Sequence, residues 1–552
     1  MALVGERWRI WRRWVLAVWL ALIGGGLWGA VVRAEEIPRL LVAPAAVVPG
    51  GTVQVQVENH PAGTFCVGLN GPGQHYTLGI APRLHRRLGT ITVGGDGLGS
   101  ATVMVPAETP NGYYTVLVGP CPVQPDLAPL TWRTSALLAV GAVPVLTSEP
   151  RPGLLWFFAE GSTQPPFHTW LHLFNPDGER SAIVTITAFS DRPLQPVTTV
   201  VGPRQRQSLF LNAILPPVAF GLRVESTLPV VAERAMFFRQ DGTVSPGVAA
   251  PSTSWLLAEG STQFPFHTWI LVLNPNPVGA TVVLRFESPD GRNQTVTLPV
   301  GPGQRASLLV NQVFPDAVFL TRIASDQPVV VERAMYLLTS GGGHSTPGAI
   351  APQEAWFFAE GSAQPPFDTW YLVANPHPHP VRVRLQFLGE GGSGPRTEVV
   401  VPGNGRASLF LNQLGPGLAA GAVVTAEGGP VVVERAMYFR GGAHATLGAS
   451  APGRVWLLAE GSTQPPFDTW LLLANPQATD SRAVVTLAFP DGSSQVQTLT
   501  VPAQGRRSLF LNQLAPDRTF GLQVASDLPL VVERSMYLAG GRGGTNTIGL
   551  RQ

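Results

Sequence analysis

The sequence predicts an all-β protein, a row of tandem immunoglobulin-like β-sandwiches with one leading domain and four repeats of about 100 residues. Internal repetition is the first ground. Segments reading WFFAEGSTQPPFHTW from Trp156, WLLAEGSTQFPFHTW from Trp255, WFFAEGSAQPPFDTW from Trp356 and WLLAEGSTQPPFDTW from Trp456 follow at spacings of 99, 101 and 100 residues. That period is too long for a solenoid turn or a propeller blade and fits a whole small domain. The second ground is a period of two inside each copy: Val381, Val383, Leu385 and Phe387 alternate with Arg382, Arg384 and Gln386, the pattern of a half-buried strand. The third is punctuation, since 61 glycines and 53 prolines in 552 residues break the chain too often for long helices.

Composition narrows the function classes. Hydrophobic residues make up 45% and charged residues only 13%, which excludes disorder driven by charge. The formal net charge of +2 provides no overall field for nucleic acid or an anionic membrane surface. All 37 basic residues are arginine, which removes lysine Schiff-base and lysine-nucleophile chemistry.

Residues 1–34 read as a signal peptide or signal anchor. Arg7, Arg9, Arg12 and Arg13 form a basic n-region, and an uncharged run from Trp14 to Val32 follows. The small residues of Val32-Arg33-Ala34 favour cleavage after Ala34, while the length of the run also suits a single membrane anchor. Both readings export the remainder, so the expected location is extracytoplasmic, secreted or at the cell surface. The Arg12-Arg13 pair leaves Sec and twin-arginine export open. In an oxidising compartment Cys66 and Cys121 are expected to form a disulfide, with two buried thiols as the alternative.

Residues 37–142 read as an N-terminal sandwich in which Val53, Val55 and Val57 alternate with Gln54, Gln56 and Glu58. The proline-bearing stretch 141–152 reads as a linker, and the repeats then occupy 151–249, 250–350, 351–450 and 451–552. In the first repeat seven strands are expected, near 155–159, 169–174, 182–189, 196–201, 206–211, 220–226 and 229–238. A small closed barrel is the alternative architecture for this pattern. Five such domains in line would reach on the order of 150 Å.

The repeats resemble an uncharacterised bacterial repeat domain of secreted and surface proteins, marked by W-[FY]-[FL]-A-E-G-S-T, then D-T-W-L-L-L-A-N-P, then V-V-x-E-R-[AS]-M-Y. The resemblance covers 151–552, and the leading segment is similar to generic bacterial immunoglobulin-like modules. It implies an exported repeat protein and brings no catalytic residue with it.

The recurring polar residues are the candidates for a site. Glu160, Glu259, Glu360 and Glu460 follow an apolar strand, while Arg234, Arg333, Arg435 and Arg534 interrupt the closing strand of each copy. Arg333 shares a strand face with Val329, Val331 and Met335, and a guanidinium among apolar groups needs a partner. A partly buried Glu160–Arg234 pair, with its equivalents Glu259–Arg333, Glu360–Arg435 and Glu460–Arg534, is the expected lock. A catalytic carboxylate pair is the competing reading. Trp156, Trp255, Trp356 and Trp456, with Trp170, Trp269, Trp370 and Trp470, are expected in the core rather than as sugar platforms.

His168 and His267 stand where Asp368 and Asp468 stand in the later copies, an exchange that suits a turn device better than a general base. His377 and His379 lack the neighbours of a metal site. No catalytic residue, metal or cofactor is expected. The function expected is that of an exported, non-enzymatic structural, adhesive or interaction protein. A carbohydrate-binding protein of the cell wall or an extracellular polysaccharide is the alternative, and a hydrolase with a site between repeats the third reading. The partner is unknown; polysaccharide or another surface protein fits the pattern, nucleic acid does not, and membrane contact is expected only through an uncleaved leader.

Overall fold

The computed structural model describes residues 153–552 apart from position 539, together with segments of a leading unit between 39 and 140. The leader, the linker 141–152 and Cys121 lie outside the described residues, and with them the expected cleavage and disulfide. In the leading unit eight strands form one sheet, and Val53, Val55 and Val57 of Thr52–Glu58 are buried together with Cys66.

Each repeat is a β-sandwich, in keeping with the all-β expectation. In the first, the strands are β1 (Gly153–Phe158), β2 (Phe167–Phe174), β3 (Ala182–Phe189), β4 (Val197–Val201), β5 (Arg206–Phe210), β6 (Gly221–Phe238) and β7 (Asp241–Pro246). The two strands read near 220–226 and 229–238 are one, β6. Its first half pairs with β1 and β3 and its second with β2 and β7, so one strand belongs to both sheets. The register shifts between Glu225 and Val230, around Pro229, which has no N–H to give to a ladder. In the third repeat the same strand divides into Ala420–Glu427 and Val432–Phe439.

The second half of β6, VVAERAMFF, is buried on both faces. One face belongs to its own sandwich, and the other is covered by a neighbouring repeat. Phe157 and Ala159 cluster with Leu271, Leu273, Val330 and Ala334 of the second repeat. Leu457, Ala459 and Leu550 of the fourth join the core of the first.

The repeats are therefore neither strung out nor separately closed. β7 and its counterparts Gly343–Pro347, Gly442–Leu447 and Gly544–Ile548 pack around a common axis, each beside the next and the fourth beside the first. The expected extended array is replaced, over its four repeats, by a closed ring. A head-to-tail interface generates such a ring when its rotation closes, here after four copies.

Candidate functional site at the repeat interfaces

The Glu-Arg step in the second half of β6 builds the ring because successive strand residues point to opposite faces. Arg234 reaches forward to the second repeat and Glu233 backward to the fourth. Arg234 Nη1 lies 2.9 Å from Glu332 Oε2, and the same forward contact joins Arg333 to Glu434 at 2.6 Å, Arg435 to Glu533 at 2.7 Å and Arg534 to Glu233 at 3.0 Å. The second oxygen of each carboxylate accepts a backbone N–H of the preceding repeat: Ala159 at 2.7 Å, Ala258 at 2.6 Å, Ala359 at 2.8 Å and Ala459 at 3.1 Å. All eight side chains are 0–1% exposed. Charges so buried require both pairing and further hydrogen bonds, and this geometry supplies both.

The expected Glu160–Arg234 pair is corrected by this arrangement. Arg234 Nη1 donates to the Glu160 carbonyl oxygen at 2.8 Å, not to its carboxylate, and Arg435 treats Glu360 in the same way at 3.0 Å. In the second and fourth repeats the guanidinium does meet its own copy's carboxylate, at 2.6 Å for Arg333–Glu259 and 2.8 Å for Arg534–Glu460.

The difference is decided one repeat ahead. Arg234 Nη2 donates to Ser345 Oγ at 2.9 Å and Arg435 Nη2 to Asn546 Oδ1 at 2.7 Å. The equivalent positions facing Arg333 and Arg534 are Ala445 and Val244, which accept nothing, so those arginines turn to Glu259 and Glu460. The interfaces thus alternate. Burial raises the Glu460 carboxyl, but Arg534, His172 and Arg206 outweigh it and hold the group at about 2.

A second arginine family was not singled out in the sequence. Arg206, Arg305, Arg406 and Arg506 also cross the interfaces, each reaching backbone carbonyls of the preceding repeat, as Arg305 Nε does to Ala159 O at 2.7 Å and Arg206 Nε to Ala459 O at 3.1 Å. Its signal was an Arg-x-Ser-Leu pattern recurring in every copy.

Between the first and second repeats these groups border an open cleft lined by Glu160, Gln164, His267, Trp269, Arg305 and Tyr336, among others. Arg305 Nη2 is 3.4 Å from Glu160 Oε2. Burial raises the Glu160 carboxyl against the pull of Arg305 and Arg234, and pushes the Tyr336 hydroxyl well above its usual range, leaving it a neutral donor.

On the ring axis stands a residue with no counterpart. Asp241 occupies the position held by Gly342, Gly442 and Gly543 in the other copies. Its carboxylate accepts N–H groups from all four repeats: Gly343 at 2.9 Å, Ala443 at 3.1 Å, Gly544 at 2.8 Å, and its neighbour Gly242. Burial pushes this carboxyl up to about 7 against those donors. A Cβ on Gly543 would lie 2.0 Å from Gln240 O, and one on Gly342 2.2 Å from Gly441 O, so the axis has room for a single side chain. At the other end, Pro246, Pro347, Leu447 and Ile548 help line an apolar cup.

Trp156, Trp255, Trp356 and Trp456 are buried, and each indole N–H donates to the chain just past the bend of the long strand, Trp156 to Val230 O at 3.0 Å. Trp170, Trp269, Trp370 and Trp470 differ from expectation: they are half-buried on the β2 face directed away from the sandwich interior. Three of them pack on the rings of Phe210, Phe410 and Phe510 at 4.6, 4.4 and 4.7 Å. The His168 position lies in a strand rather than a turn. The residue that brackets this segment is the recurring Asn212, whose Oδ1 accepts Thr169 N–H at 2.8 Å while its amide donates to Phe167 O at 2.8 Å. His377 Nε2 donates to the Pro430 carbonyl at 2.8 Å and His379 Nε2 to the Gly428 carbonyl at 2.9 Å. Among the described residues no group of three or more potential metal ligands converges.

A family of unknown function (DUF5719) matches residues 343–533. No curated protein matches the chain. Among solved structures, Thermotoga maritima 1070 is similar at 19% identity over 18% of this chain and 96% of that one, with a TM-score of 0.18. The Anabaena sensory rhodopsin transducer is similar at 25% identity over 15% of this chain and 95% of that one, with a TM-score of 0.14. A tetra-tandem repeat from the extending region of a large adhesion protein is similar at 14% identity, covering 93% of this chain and 98% of that one, with a TM-score of 0.13.

Proposed function

We propose that the protein is an exported, non-enzymatic interaction module whose four repeats form one rigid head rather than a flexible tether. The observation that carries this reading is the burial of the recurrent Glu-Arg steps at 0–1% exposure. Groups consumed in holding neighbouring copies together have no access to a substrate, which removes the most repeated acid and base of the chain from solution chemistry. The carboxylates of the AEG steps are engaged at the same interfaces, and the one that borders an open cleft, Glu160, is held beside Arg305.

A carbohydrate partner is the second reading, favoured by the aromatic and polar walls of the cleft between the first two repeats. A glycan array and a cell-wall pull-down with residues 36–552 test the interaction role. Binding without turnover on polysaccharide and peptide panels is the expected result. Hydrolysis of any panel member would overturn the non-enzymatic assignment. N-terminal sequencing of the exported protein tests its processing, with Glu35 expected as the first residue.

A further inference from the structure

We infer that the cleft between the first and second repeats binds an acidic sugar, a uronic-acid residue of a polysaccharide, with its carboxylate on Arg305 and Ser307 and its ring against Trp269. This rests on the reading of the protein as an interaction module and names the ligand class of its open cleft.

The four interfaces act as internal controls for one another. Each places an arginine two residues before a serine on the strand that borders the preceding repeat, and in three of them the chain satisfies that serine itself. Between the third and fourth repeats a carboxylate does so. Glu390 comes from the hairpin turn after Val381–Gly389, with Oε1 at 3.1 Å from Arg506 Nε and Oε2 accepting Ser508 N–H at 3.2 Å, while the Ser508 hydroxyl donates to Oε1. Between the fourth and first, His172 Nδ1 lies 2.9 Å from both Ser208 Oγ and Arg206 Nη2. Between the second and third, Arg406 Nη2 donates to Ser408 Oγ at 2.9 Å.

Between the first and second repeats the Ser307 hydroxyl has no partner among the described residues. The corresponding turn of the first repeat carries the shorter Asp191 at the Glu390 position, but there Ser190 Oγ bonds the Arg192 carbonyl at 2.6 Å and Asp191 does not line the cleft. An arginine and serine that hold a carboxylate in one copy therefore line an open cleft in another, where Arg305 keeps its contacts with Ala159 O and Glu160 and Ser307 is exposed. Charge-assisted, paired contacts of this type favour a planar carboxylate over a neutral hydroxyl.

The wall beside the cradle identifies what carries the carboxylate. Trp269 faces Leu309 across the strand pair, where its three counterparts face and pack on phenylalanine rings. It lines the cleft with Tyr336, and Gln164 and His267 supply hydrogen-bonding groups at the same opening. An aromatic face with peripheral polar groups suits a pyranose ring and its hydroxyls.

Calorimetric titration of residues 36–552 with oligogalacturonate, its methyl-esterified counterpart and an oligoglutamate peptide tests the assignment. Oligogalacturonate should bind at least about tenfold more tightly than the ester, the difference expected for one lost charge-assisted contact, and about tenfold more tightly than the peptide, which keeps a carboxylate but has no ring to lie against Trp269. Ser307→Ala and Trp269→Leu should each weaken it by about tenfold while small-angle scattering reports an unchanged ring. Equal binding of the ester or the peptide, or unchanged affinity in both variants, would overturn the acidic-sugar assignment and leave the interaction role standing. Failure of every ligand here and in the glycan array would remove both.

Discussion

Glu233 Oε2 lies 3.0 Å from Arg534 Nη1 across 301 residues of sequence, and this contact makes the first and last repeats neighbours. The ring contains no free end at which an interface of this kind is left unpaired. Each repeat contributes to it two recurrent carboxylates and two recurrent guanidiniums, Glu160 and Glu233 with Arg206 and Arg234 in the first, so these recurrent charges balance around the ring.

The alternation of interfaces predicts unequal responses to the same substitution. Arg234 has Glu332 as its carboxylate partner, whereas Arg333 retains Glu259 when Glu434 is changed. Glu332→Gln should cost about 3–5 kcal/mol in denaturant unfolding, the usual penalty for stranding a buried charge, and Glu434→Gln clearly less. Equal losses would show that the own-copy carboxylate contributes nothing.

Asp241 gives stability a slope near neutrality. Its carboxyl titrates at about 7 in the fold against an ordinary 3.8. The folded form thus holds its proton more tightly, and the resulting stabilisation is fully present below about pH 4, falls as pH rises through 7, and is flat beyond. Glu460, held at about 2 against 4.5, has the opposite sign in a lower window, losing its contribution as pH falls from 4.5 towards 2. Melting temperatures of the native protein and Asp241→Asn between pH 4.5 and 8 should differ in slope, the variant lacking the decline that Asp241 contributes.

Crowding on the axis predicts that glycine is required at the three positions equivalent to Asp241. A methyl group on Gly543 meets the Gln240 carbonyl at 2.0 Å, and backbone cannot turn aside as a side chain can. Gly543→Ala should therefore destabilise by at least the about 1–3 kcal/mol typical of overpacking, and scattering should report a larger radius of gyration. Gly540→Ala is not an innocent control because its φ is +82°; Gly391, with open space around it, is.

A repeat removed from the ring should not fold alone as a monomer. In residues 250–350, Glu332 and Arg333 lose Arg234 and Glu434, and the second apolar face of their strand is uncovered. Circular dichroism and gel filtration should find an unfolded or self-associated fragment. A cooperatively melting monomer would contradict the shared cores.

How much of this was legible depends on whether the cause was local. Period-two alternation and the repeated motifs identified the sandwiches because a half-buried strand writes its faces into adjacent residues. The partner of Arg234 could not be read that way: Glu160 and Glu332 belong to the same repeated pattern, and the choice turns on Ser345, a residue of the next copy. β7 was missed because Asp241–Pro246 lies against the axis in small and polar residues, with no alternation to betray it. The second set of tryptophans lies half-buried at the margin of the cores, with Trp269, Trp370 and Trp470 packed against them, a distinction between full and partial burial that a wholly apolar strand does not carry in its residues.

Near-identical copies on one chain invite mispairing, within a molecule or between molecules that exchange parts. The polar residues Ser345 and Asn546 and the apolar Ala445 and Val244 work against this by giving successive junctions two different chemistries. A second repeat seated in the third position would bring a hydroxyl where Arg333 already has Glu259, and a third in the second position would deprive Arg234 of its acceptor. Seating a copy one place out of order therefore mismatches the junctions on either side of it.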